Sequence, residues 1–147
     1  MDEIDRRILN LVQEEFPISE RPFEEIGRAV GVSEEEAFER VRRMREEGVV
    51  RRIGPVLEKR QIGYVGMLCG TAVDEWRIEA VAEELSRHKG VTHCYEREGE
   101  LNLWFTIIAS STSEIEEYLD SVERRFCIKI QRFKEKRVFK IKTYFPV

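Results

Sequence analysis

Apolar residues recur at helical spacing from the start of the chain. Ile4, Ile8, Leu11 and Val12 fall on one face of residues 4–15, which predicts an amphipathic helix. Phe16-Pro17 ends it. Pro22 suits the first turn of a second helix with Phe23, Ile26, Ala29 and Val30 on its inner face, and Gly31 is its expected stop. Ser33-Glu34-Glu35-Glu36 has the spacing of a capping box. It opens a third helix with Ala37, Val41 and Met44 inward, stopped at Gly48. Val49 to Ile53 is strand-like and runs into Gly54-Pro55. Three short helices followed by a strand pair predict a winged helix-turn-helix over residues 1–60.

Beyond a boundary at Lys59 to Gly63 the period changes. Tyr64 to Val73 reads as a strand, and Trp76 to His88 as a helix with Ile78, Val81, Ala82 and Leu85 inward. Val91 to Arg97 and Leu101 to Ala109 alternate as a hairpin around Glu98-Gly99-Glu100. Ser113 and Glu116 have cap spacing for a further helix with Ile115, Leu119, Val122 and Phe126 inward. Ile128 to Phe133 and Val138 to Phe145 read as two more strands. The β-α-β-β-α-β order is the ferredoxin-like unit, so residues 61–147 form the second domain of an α+β chain. The outward faces of these strands, such as Asn102, Trp104, Thr106 and Ile108, are too apolar to stay open. That predicts an oligomer built through the sheets.

Composition narrows the class. The 147 residues, 41% hydrophobic and 10% aromatic, suffice for a buried core and exclude disorder. No apolar run approaches the roughly 18 residues a membrane span needs. The acidic Met1-Asp2-Glu3 start is not a signal peptide, so a cytoplasmic protein is expected. Cys69, Cys94 and Cys127 are an odd set at wide spacing, which fits neither a disulfide framework nor a zinc site. Only two histidines occur, His88 and His93.

Charge bears on the helix-turn-helix. A winged helix followed by a ferredoxin-like domain is the architecture of the Lrp/AsnC regulators, so DNA binding with small-molecule sensing is the obvious function. A recognition helix reads bases mainly with its first residues, and here those are Ser33 and three glutamates. Residues 1–60 carry 12 basic and 15 acidic side chains, a poor match to phosphate neutralisation. Arg40, Arg42, Arg43 and Arg45 are spaced to pair with Glu36, Glu39, Glu46 and Glu47 within the helix. Specific binding to nucleic acid is not expected.

The candidate chemistry lies in the second domain. Strand alternation puts His93, Tyr95 and Arg97 on one face. An imidazole that titrates near neutrality, a phenol and a fixed cation suit an anionic ligand undergoing proton transfer. A half-exposed strand with a satisfied histidine is the ordinary alternative. Tyr64, Gly66, Leu68, Gly70 and Ala72 share a face, and glycines there mark close approach by a ligand or by the protein itself. Arg51 and Arg52 are adjacent cations suited to carboxylates, or alternatively to the phosphates met by a wing. Lys59, Arg60, Lys140 and Lys142 could widen a cationic rim, or simply protect a sheet edge.

Several segments together resemble the siroheme decarboxylases, Lrp/AsnC-like enzymes of alternative heme biosynthesis. They are Phe16-Pro17 with Arg21-Pro22-Phe23, Glu46 to Val56, Gly63-Tyr64, His88 to Arg97, Leu101 to Thr106, and Arg137 to Ile141. The chain departs from the family's pattern at Lys89 and Cys94. The resemblance implies a carboxy-lyase that removes two acetate carboxyls from siroheme to give didecarboxysiroheme. It implies no cofactor beyond that substrate, or a bound heme, and a paralogous subunit in a heterodimer or higher complex, with a homodimer as the alternative. Under it, Arg51, Arg52 and Arg97 hold carboxylates, Gly66 and Gly70 leave room for the macrocycle, and Trp104 joins the substrate-binding set. His93 or Tyr95 supplies the proton, or His93 ligates the substrate iron.

Overall fold

The computed structural model describes residues 1–140 and 144–147, which divide into two compact units. One comprises Met1–Pro55 with Lys140–Val147, the other Val56–Phe139. The expected domains 1–60 and 61–147 differ from this division at residues 56–60 and at the end of the chain. Lys142 lies outside the described residues.

The first unit holds α1 (Glu3–Glu14), α2 (Pro22–Val30) and α3 (Glu34–Glu46). Asp2 caps α1 by accepting from the Asp5 amide at 2.9 Å, and the Asp5 carboxylate accepts in turn from the Asp2 amide. Gly31 ends α2 in the left-handed conformation. Ser33 caps α3 at the Glu36 amide, but the Glu36 carboxylate turns to Arg40 instead of closing the box. Ile8, Leu9, Ile26, Val30, Ala37, Val41 and Met44 form the core. The expected strand over Val49–Ile53 carries no ladder among the described residues. Pro55 has no N–H to donate, and residues 144–147 lie on α1 instead of beside it. Asn10 donates to the Val147 carbonyl at 2.7 Å, and Gln13 holds both the amide and the carbonyl of Phe145 at 2.9 Å. The strand expected over Val138–Phe145 is likewise irregular wherever it is described; residues 141–143 fall outside the described set.

The second unit is a four-stranded antiparallel sheet, β1 (Val65–Thr71), β2 (Val91–Glu96), β3 (Leu103–Ala109) and β4 (Ile130–Lys134), in the order β2-β3-β1-β4. A single 3-10 turn over Glu75–Arg77 leads into α4 (Ile78–Arg87), so Trp76 lies before the α-helix and is exposed. α5 (Thr112–Phe126) is capped by Ser111 at the Glu114 amide, two residues ahead of the expected Ser113 and Glu116. Cys127 closes α5 in the left-handed conformation, which delays β4 to Ile130. α4 and α5 cover one face of the sheet, burying Met67, Cys69, Phe105, Ile107, Val81, Leu85 and Leu119. Asn102 clamps the end of β1 by bonding both the amide and the carbonyl of Val73. No helix among the described residues is long and apolar enough to cross a membrane.

Candidate functional site: the open face of the sheet

Alternation sends Gly66, Leu68 and Gly70 of β1 to the face without helices. In register with them are Trp104, Thr106 and Ile108 of β3, and Phe133 stands opposite Leu68 on β4. From β2, His93 pairs with Thr106 and Tyr95 with Trp104. Leu68, Tyr95 and Phe133 are each about two-fifths exposed, so this face is largely apolar and no helix of its own unit covers it.

A register shift between Val91 and His93 marks a β-bulge. Val91 pairs with Ile107 and Cys94 with Phe105, both on the covered face, so the two residues between them turn outward together. Thr92 therefore joins His93. Its hydroxyl is 2.7 Å from that of Thr106, and His93 Nδ1 lies 3.0 Å from the first and 3.2 Å from the second. If the two hydroxyls donate in series, Nδ1 accepts and the ring proton sits on Nε2. Strict alternation concealed Thr92, because a bulge is a property of strand pairing.

His93, Thr92 and Thr106 line a concavity of about 560 Å³ with Lys59, Gly66, Leu68, Ile108, Phe133 and Glu135. A side chain at Gly66 would meet the Lys59 ammonium, since a Cβ there would lie 2.7 Å from Nζ. Gly70 does not leave room for a ligand as expected. Its open space is filled by the Trp104 indole, 3.2 Å from where a Cβ would stand, and by Leu101. Trp104 is itself fixed: its ring stacks on Phe133 at 5.5 Å and Nε1 donates to the Leu101 carbonyl at 2.7 Å. The Arg97 guanidinium lies over the Tyr95 ring at 4.8 Å, beyond the end of β2. It also borders a hollow with Glu75, Glu96 and Glu98.

Arg51 and Arg52 belong to the first unit. They line a groove of about 480 Å³ with Leu9, Val12, Phe16, Val41 and Phe145. Elsewhere in that unit three of the four arginines of α3 are engaged. Arg40 pairs with Asp2, Asp5 and Glu36 at 2.7–2.8 Å, Arg43 with Asp5 at 2.6 Å, and Arg42 with Glu39 at 2.5 Å. The Arg40 hydrogen bond brings Asp2 down to about 2. Burial pushes Asp5 upward, but the Asp2 amide, Arg40 and Arg43 outweigh it and hold the carboxyl below its ordinary range.

The remaining reactive groups sit on the covered side. Burial lifts the Cys69 thiol to about 12 and also raises Cys94. His88 caps the end of α4, packs its ring 3.9 Å from that of Tyr118, and accepts at Nδ1 from the Gly90 amide. Among the described residues no group of three His, Cys, Asp or Glu side chains could hold a metal ion.

Three helices of a helix-turn-helix, then a βαββαβ sheet with one uncovered face, define an Lrp/AsnC-like protein. The leucine response regulatory protein of Mycobacterium tuberculosis shares this fold with a TM-score of 0.84 over all of both chains, at 17% identity. Family profiles agree and add a distinction. Residues 5–51 match the siroheme decarboxylase NirDL-like HTH domain, and residues 61–140 the AsnC-like ligand binding domain. The siroheme decarboxylase alpha subunit of Nitratidesulfovibrio vulgaris is 39% identical over 145 residues, covering 99% of this chain and 82% of that one. A crystal structure of the siroheme decarboxylase NirDL in co-complex with an iron-uroporphyrin III analogue is 30% identical. It superposes with a TM-score of 0.70 over 98% of this chain and 48% of its own. The chain belongs to the siroheme decarboxylase family.

Proposed function

We propose that this chain acts as a subunit of a cytoplasmic siroheme decarboxylase, a carboxy-lyase of alternative heme biosynthesis. Identity of 39% over 145 residues to a siroheme decarboxylase alpha subunit is the observation that carries the reading, and the open sheet face supplies chemistry that suits it. Siroheme is a flat polyanion bearing its own iron. An apolar concavity takes its ring, cations at the rim take its carboxylates, and an acid must face the reacting carbon.

Decarboxylation breaks the bond between an acetate carboxyl and its methylene. Carbon dioxide leaves, the electron pair stays on the methylene carbon, and a proton delivered there makes a methyl group. We assign this proton to Nε2 of the His93 imidazolium, in which Nδ1–H donates to the Thr92 or Thr106 hydroxyl, so that the ring is left neutral when the proton is given up. Ligation of the substrate iron by the same nitrogen is the second use of this geometry, and it excludes the first while it lasts. Tyr95 and Arg97 flank the site as phenol and cation. Arg51 and Arg52 stay candidates for carboxylate binding from the first unit. Gly66 serves through Lys59, and Trp104 as an apolar wall.

The subunit names of the relatives imply a second, paralogous chain. The uncovered sheet face is where it would dock, and a homodimer is the alternative. Specific DNA binding is not part of the function, because the arginines Arg40, Arg42 and Arg43 of α3 already face carboxylates. Anaerobic incubation with siroheme, with and without the paralogous subunit, followed by mass analysis tests the proposal. Loss of two carbon dioxide units is expected; unchanged siroheme with both subunits present refutes it.

A further inference from the structure

Lys59 occupies a built position. The turn before β1 brings it back onto the sheet: the Gln61 amide donates to the Glu58 carbonyl, and the Tyr64 amide to the Lys59 carbonyl at 2.8 Å. Its ammonium then crosses β1 at the one position on that stretch of open face where no side chain blocks it, Gly66. Glu135 fixes the ammonium at 2.9 Å and also pairs with Arg60, so one carboxylate is shared between two cations. A positive charge is left over, and Lys134 lines the same concavity. An ammonium has three donors, and only the one to Glu135 is engaged among the described residues. Leu68, Ile108 and Phe133 supply apolar wall around it, and His93, Thr92 and Thr106 lie on the same concavity.

We propose that Lys59 is the carboxylate-binding residue of this concavity. Its free donors take a peripheral carboxylate of the tetrapyrrole and thereby orient the ring against His93. Gly66 is what lets the ammonium reach the ligand. This assignment rests on the siroheme decarboxylase reading, and it adds to that reading the residue that anchors the substrate's charge.

The test uses the full chain, alone and with its paralogous subunit, titrated by absorbance with iron uroporphyrin III, whose every peripheral side chain ends in a carboxylate. Lys59→Met is expected to raise Kd about tenfold, which corresponds to about 1.4 kcal/mol. It should also flatten the dependence of affinity on salt. Gly66→Ala displaces the ammonium and should act in the same direction. Should Lys59→Met fail to fold, Gly66→Ala carries the test by the same criterion. Binding by the wild type with a variant Kd within twofold of it overturns the assignment while leaving the decarboxylase reading intact. A wild type that neither binds iron uroporphyrin III nor decarboxylates siroheme overturns both.

Discussion

The two faces of the sheet are built from the same strands and do opposite work. On β3, Leu103, Phe105 and Ile107 are fully buried beneath α4 and α5, while Trp104, Thr106 and Ile108 between them face the open side. Under the helices, polar chemistry is silenced: the Cys69 thiol is driven up to about 12, and the Tyr118 hydroxyl has no hydrogen-bond partner among the described residues. On the open side, His93, Thr92 and Thr106 form a closed set of short contacts at the edge of a concavity. One face supplies stability and the other is free to supply function, so substitutions on the two faces should separate cleanly.

The largest effect belongs to His93. His93→Ala should lower decarboxylation by about 10²–10⁴, the usual cost of a lost general acid, with the thermal midpoint unchanged. A shifted absorption spectrum of bound siroheme would mark the iron-ligand role instead. Activity and spectrum both at wild-type level would erase the distinction between the faces.

Stability provides the converse. Phe105→Ala should cost about 3–5 kcal/mol in denaturant unfolding, since a fully buried aromatic leaves a cavity. Leu68→Ala, on the opposite face of the sheet, should cost under about 1 kcal/mol because that side chain is already partly exposed. Equal losses would mean the open face is part of the core.

A subtler expectation concerns Thr106. Thr106→Val keeps the shape and removes one hydroxyl from Nδ1, and should lower activity about tenfold with a displaced pH profile. Thr106→Ser should restore both. A loss shared equally by the Val and Ser variants would point to packing alone.

Alkaline stability sharpens the other side. Cys69 titrates near 9.0 when unfolded and near 12 when folded, so the folded state holds its proton more tightly. The stability this gives is complete below about pH 9 and falls as the pH climbs towards 12. Cys69→Ala should flatten that decline in unfolding measured from pH 8 upward. An unchanged slope would remove Cys69 as its cause.

Helix positions and the βαββαβ order were legible because each depends on local period, as with Ile8, Ile26 and Val41 in one unit and Leu103, Phe105 and Ile107 in the other. Features that depend on pairing were not. Val49–Ile53 and the described parts of Val138–Phe145 have strand composition, yet a strand exists only where another offers its amides and carbonyls. The cap of α5 was ambiguous, since Ser111 and Ser113 each have a glutamate three residues on. In the site, His93 and Tyr95 were readable from alternation. Thr92 was hidden by the bulge, and the occupants of Gly66 and Gly70 are distant in sequence, Lys59 for one and Trp104 for the other.

During synthesis, the helices of the first unit are made well before the residues that complete that unit. Asn10 and Gln13 wait for partners 137 and 132 residues downstream. At about 5–20 residues per second, that is an interval on the order of ten seconds. Throughout it, the groove of Val12, Phe16 and Val41 lacks the Phe145 ring that borders it in the folded chain. A holding chaperone that binds apolar surface should therefore engage the nascent chain at α1, and release it only once Val147 has been made.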